Sequence, residues 1–181
     1  MPSVSRMQFL RGRFRKDELV LRPPWAVAEE QFVADCTRCN ECITICPEKI
    51  IQQGQGGFPE IVFSHSGCEF CEDCLAVCKP KVLNKLDKDQ SAWDIKATIT
   101  SKCIAYHGTI CRTCGEACND DAIHFKLEAG KVGTPILTEA QCTGCGFCIA
   151  MCPVDAIVVS SVSIPSETMP NEPLNETQRV S

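Results

Sequence analysis

Cys36-Thr37-Arg38-Cys39-Asn40-Glu41-Cys42-Ile43-Thr44-Ile45-Cys46-Pro47 sets three cysteines at steps of three, a fourth after a step of four, then proline. This is the thiolate spacing that serves cubane 4Fe–4S clusters. A short loop curling around a cubane presents a thiolate to a different iron every third residue. The fourth cysteine is expected to open a short helix and point away, towards a neighbouring cluster. Proline fits a first helical turn, where its missing N–H has no partner to lose.

The pattern recurs along the chain. A second run is Cys68, Cys71, Cys74 and Cys78, followed by Lys79 and only then Pro80. The offset from Cys42 to Cys74 marks an internal repeat. A third run, Cys103, Cys111, Cys114 and Cys118, has its first step stretched from three residues to eight and ends on Asn119. The loop from Ile104 to Ile110 is expected to bulge outwards while Cys103 still reaches its iron. The fourth run, Cys142, Cys145, Cys148 and Cys152-Pro153, is the most regular; Gly144 and Gly146 let its backbone wrap closely. If fourth cysteines cross over, the sets are Cys36, Cys39, Cys42, Cys78 against Cys68, Cys71, Cys74, Cys46. The later pair is Cys103, Cys111, Cys114, Cys152 against Cys142, Cys145, Cys148, Cys118. All sixteen cysteines are thus candidate cofactor and metal ligands.

Sixteen cysteines in 181 residues also fit the composition of a disulfide scaffold. Two features speak against it. No apolar signal segment follows the N-terminus, and cysteines bunched in tight triplets cannot pair with one another without strain. Structural zinc favours two C-x2-C pairs with a longer spacer, not equal steps of three. The eight Phe, two Trp and one Tyr make a thin core, so metal clusters are expected to supply folding free energy. The formal charge is −5, and each filled cluster site adds roughly −2. No run of about 18 apolar residues suggests a transmembrane span.

Around the runs, Met1 to Lys16 is basic, with Arg6, Arg11, Arg13, Arg15 and Lys16 and no acid. Ser5-Arg6-Met7-Gln8-Phe9-Leu10-Arg11 looks like a worn twin-arginine signal whose apolar stretch is missing. It reads as a solvated arm or a docking arm for an acidic partner or membrane surface. Arg22-Pro23-Pro24-Trp25 reads as a stiff extended element that holds the arm away, with Trp25 as an anchor. Strands are expected around Ile51, at Ile61-Val62-Phe63 and up to Val159; Asn84 to Ser91 is a polar connector. Beyond Ser160 the chain has little to bury and is expected to be disordered. His65, His107 and His124 read as ordinary surface residues, with His107 able to stand in for Cys103 as a ligand. No Ser/His/Asp grouping, phosphate loop or dinucleotide fingerprint is present, so no enzymatic activity is expected.

With all four runs placed, the chain resembles the ferredoxin-type NapF family from about Ser5 to Ser160. The likeness rests on the basic arm, Arg22-Pro23-Pro24-Trp25, Cys36-Thr37-Arg38-Cys39, Gly56-Gly57-Phe58-Pro59, Ala92-Trp93-Asp94 and the stretched third run. The cysteine runs alone imply only a polyferredoxin; the other elements are more specific. The fold expected is α+β: two tandem two-cluster ferredoxin-like modules, small antiparallel hairpins with short helices wrapped around four 4Fe–4S clusters. The division is a basic arm at 1–28, modules at 29–84 and 85–160, and a tail at 161–181. The resemblance implies a cytoplasmic accessory protein for the catalytic subunit of periplasmic nitrate reductase. It would act on the precursor before export, by electron transfer or iron–sulfur assembly, with no nucleic-acid partner. The alternative is an electron-relay subunit of a membrane-associated quinol oxidoreductase complex.

Overall fold

The computed structural model describes residues 20–161. The basic arm at Met1 to Lys16 and the tail lie outside the described residues, so the expectations for them stay untouched.

Helices and strands are both short, because cysteine loops take much of the chain. Helix α1 (Glu29–Asp35) is the longest, and it buries Phe32 completely. The others are single turns: α2 (Glu41–Ile45), α3 (Asp73–Ala76), α4 (Thr113–Glu116) and α5 (Phe147–Ala150). Turns this short are not stable alone, so their geometry comes from what they pack against. Each carries the third cysteine of its run, and the fourth follows its C-terminal end. That corrects the expectation that the fourth cysteine opens the helix: Cys46 is an extended C-cap residue and Pro47 stands in the turn beyond it.

Three two-stranded antiparallel sheets frame these turns. Strands β1 (Ile51–Gln53) and β2 (Pro59–Ile61) pair with Ile51 opposite Ile61. The return strand therefore starts earlier than Ile61-Val62-Phe63, because a tight turn with Gly54 N–H donating to Phe58 C=O at 2.8 Å fixes the register. In the second half, β3 (Ile95–Ile99) pairs with the distant β6 (Ile157–Ser161), and β4 (Ile123–Lys126) pairs with β5 (Thr134–Leu137). The first half has only an isolated bridge, Ala26 to Leu83, where the second has β3–β6.

Arg22-Pro23-Pro24-Trp25 departs from its expected extended form. It turns, with Trp25 at φ +58° and Ala26 N–H donating to Pro23 C=O at 3.2 Å. Pro23 and Pro24 are fully buried. Arg22 is tied down by Glu29 at 2.9 Å and lies 5.0 Å over the Phe32 ring. Trp25 is the anchor expected of it, buried, with its N–H donating to Ala92 C=O at 2.7 Å and its indole to Gln90 C=O at 3.2 Å. The polar connector is thus fastened to the first half. Among the described residues no helix is long and apolar enough to cross a membrane.

Candidate iron–sulfur sites

Each helical turn brings its cysteine to the wall of an apolar hollow, and the packing of turns in pairs decides which thiols meet. Turn α2 packs on α3, and α4 on α5. The first hollow, about 370 Å³, is lined by Cys36, Cys39, Cys42 and Cys78 with Phe32, Pro59 and Val82. The second, about 380 Å³, holds Cys46, Cys68, Cys71 and Cys74 with Trp25, Ile50 and Phe70. The third, about 360 Å³, gathers Cys103, Cys111, Cys114 and Cys152 with Ile99, Phe125 and Ile157. The fourth, about 370 Å³, gathers Cys118, Cys142, Cys145 and Cys148 with Ala97, Ile123 and Leu137. Every hollow takes three cysteines from one run and one from its partner run. All sixteen are free thiols.

The backbone that makes this possible is left-handed at set positions. In three runs the residues on either side of the second cysteine have positive φ: Arg38 and Asn40, Phe70 and Glu72, Gly144 and Gly146. This coils the loop tightly enough to turn successive thiols inwards. A left-handed non-glycine residue costs about 1–2 kcal/mol, which the surrounding packing must offset. The stretched third run lacks the feature: Arg112 sits at φ −133°, and the inserted residues form a 3-10 turn, Ile104–His107, ended by Gly108 at φ +83°. A second regularity holds in all four runs. Three residues after each fourth cysteine stands another left-handed residue, Lys49, Lys81, Asp121 or Asp155, its N–H donating back to that cysteine's carbonyl. Sequence reading missed this because lysine and aspartate do not announce a left-handed turn as glycine does.

Burial sets the electrostatics of the thiols. It pushes Cys74 and Cys148 up to about 12, and the neighbouring thiols push the same way. Cys42, Cys68 and Cys114 are pushed to about 11, again by burial first. Thiolates in such hollows need a cation beside them, and a coordinating metal removes the proton outright. Backbone N–H groups already point at sulfur, from Ala122 to Cys118 and from Ala156 to Cys152, each at 3.3 Å. Such bonds stabilise negative charge on sulfur and tune reduction potential. Four thiols around an apolar space fit a 4Fe–4S cluster in donor type and number. The histidines take no part: all three are exposed, and His107 Nε2 bonds to Ser101 C=O at 2.9 Å, away from the hollow containing Cys103.

The family model described as "4Fe-4S dicluster domain" matches this chain twice, over residues 35–82 and 102–156. The "Ferredoxin-type protein NapF" of Haemophilus influenzae is 41% identical over 170 residues, covering 88% of this chain and 96% of that one. This chain belongs to the ferredoxin-type NapF family. The NapF protein of Escherichia coli (strain K12) is 39% identical over 154 residues, covering 85% of this chain and 93% of its own. A "Methylamine utilization ferredoxin-type protein MauM" of Methylobacillus flagellatus is 31% identical and covers 83% and 71% respectively. As a member of the NapF family the chain is an iron–sulfur protein whose cofactors are 4Fe–4S clusters, with a part in electron transport.

Proposed function

We propose that the four hollows hold one 4Fe–4S cluster each, in two tandem two-cluster modules at 29–84 and 85–160. The ligands are the four cysteines that line each hollow, Cys103 among them. The observation that supports this is the crossed gathering of thiols, three from one run and one from its partner, in hollows of nearly equal size. When bound, each cluster gives or takes one electron at a time. The protein supplies thiolate ligands, apolar walls and N–H donors to sulfur. No substrate chemistry is assigned to it.

The protein's service, on this reading, is to the catalytic subunit of a periplasmic nitrate reductase. It meets the precursor in the cytoplasm, before export, and passes it electrons or iron–sulfur components. The resemblance to NapF proteins supports this assignment, and the basic stretch from Met1 to Lys16 suits an acidic surface on the partner, with binding that weakens as salt rises. The test is a pull-down from the cytoplasm of cells in which reductase export is blocked. The precursor should be captured and the mature enzyme should not. Stoichiometric copurification with a membrane complex would instead identify a standing relay subunit.

A further inference from the structure

The first and second halves of the chain meet along one seam, and the seam lies between the second and fourth hollows. Cys68 N–H donates to Cys145 C=O at 2.7 Å, joining a residue of one thiol loop directly to a residue of the other. Beside it the backbones come too close for any side chain. A Cβ on Gly67 would stand 2.5 Å from Phe147 N and 2.7 Å from Cys145 O. A Cβ on Gly146, at φ +86°, would stand 2.2 Å from the Phe63 ring. Trp93 closes the seam, its indole N–H donating to Thr143 C=O at 3.1 Å. Its ring meets Phe63 and Phe70 edge-on, with centroids 6.0 and 5.9 Å away. Phe70 and Thr143 each stand inside a cysteine loop, so the contact joins the loops themselves.

We infer that Gly67, Gly146 and Trp93 are positioning residues, a clamp that holds the second and fourth thiol sets edge to edge. The row of sites is therefore first, second, fourth, third, and not the order of the sequence. Packing of α2 on α3 and of α4 on α5 makes the two end links, and the clamp makes the middle one. The inference rests on the ligand sets proposed above.

The test uses the full chain, reconstituted anaerobically with iron and sulfide. Gly67→Ala drives a methyl into the Phe147 backbone, while Trp93→Leu removes the indole donor and leaves the close approach intact. Gly130→Ala is the control for strain without a clash: a Cβ there meets nothing within 4 Å, and its cost is that of the backbone at φ +74° alone. Iron content and the electron paramagnetic resonance of the dithionite-reduced protein are read together. The parent should show spin–spin broadening between modules. Both seam variants should keep their iron yet give narrower signals, and the control should match the parent. Unchanged line shapes at full iron content would overturn the clamp, whereas a parent that takes up no iron would sink the ligand assignment instead. If Gly67→Ala fails to load, Trp93→Leu is read the same way. Tryptic cleavage of the connector after Lys88 gives a second readout that needs no clusters. It should quicken about tenfold in Gly67→Ala over the control, and equal rates would again overturn the clamp.

Discussion

The inner and outer hollows differ in a way their motifs do not foretell. Neither the first hollow nor the third contains a buried cysteine, while the second buries Cys46 and Cys74 and the fourth buries Cys142 and Cys148. Yet the first run is a regular motif with its trailing proline, and the second run lacks that proline in place. Regularity of spacing therefore does not decide how deeply a thiol set is buried, and the stretched third run gathers its four thiols as the others do. Burial follows packing instead: Trp25 and Phe70 line the second hollow, and Phe63 and Trp93 pack against the loop of the fourth at Gly146 and Thr143.

The largest expected break of that contrast is Gly146→Val. It forces a branched side chain into a left-handed residue facing the Phe63 ring 2.2 Å from the added Cβ. Overpacking costs about 1–3 kcal/mol and the backbone about 1–2 more. The fully loaded chain should hold about sixteen iron atoms. The variant should retain about half of them, keeping the outer clusters and losing the inner ones. Gly108→Ala also adds a side chain at positive φ, but nothing lies within 4 Å of it. Iron content there should stay full, with a loss of about 1 kcal/mol in thermal unfolding. Equal damage from both variants would show that strain at φ, and not the seam, protects the inner pair.

Next in size is the response to attack. Thiolate chemistry follows exposure, so a chelator or air should strip iron in two phases. The outer pair should go first, leaving a plateau near eight iron atoms, roughly half of the full load. Single-phase loss would erase the inner–outer distinction.

Much of this was legible in the cysteines. Their spacing carries the hollows, the crossed pairing and the repeat, because ligand geometry is local and repeats at short steps. The helix Glu29–Asp35 was not legible, being two turns with only Phe32 fully buried to mark a face. The turn at Arg22-Pro23-Pro24-Trp25 escaped reading because its cause is remote: Glu29, Phe32 and the carbonyls of Gln90 and Ala92. In the sequence, Gly144 and Gly146 mark a loop that wraps closely around its site. Their backbones also admit Trp93 and Phe63, a contact that only the meeting of the two halves creates.

The pH response separates the pairs more gently. Cys74 and Cys148 of the inner pair are pushed by burial to about 12, against about 11 for Cys68 of the same pair and for Cys42 and Cys114 of the outer pair. A thiol raised from an ordinary 9.0 leaves stability intact below about pH 9. Above that the unfolded chain ionises first, and stability is lost as pH rises towards the folded value. Chelated protein should therefore melt at a constant temperature up to about pH 8.5 and at falling temperatures beyond it. Metal loading displaces these protons, so uptake should strengthen with pH through the same range. A melting temperature that climbs above pH 9 would refute the assigned burial.

The smallest effect is expected at His107, next to the one irregular site. The stretched loop places it four residues after Cys103 and four before Cys111, close enough in sequence to serve as a substitute ligand. Its ring nitrogen is engaged instead by the Ser101 carbonyl at 2.9 Å, on an exposed turn. Gly108, left-handed at φ +83°, then turns the chain so that Thr109 and Ile110 pass outside and Cys111 returns to the hollow. His107→Gln keeps a polar partner for Ser101 and should leave iron content and the visible spectrum unchanged. Cys103→Ser should remove about four iron atoms, one cluster's worth, and spare the other three sites. If the serine variant keeps its full iron and loses it only when His107 is also replaced, the third site is a three-cysteine, one-histidine centre. The outer pair would then differ in ligand chemistry as well as in exposure.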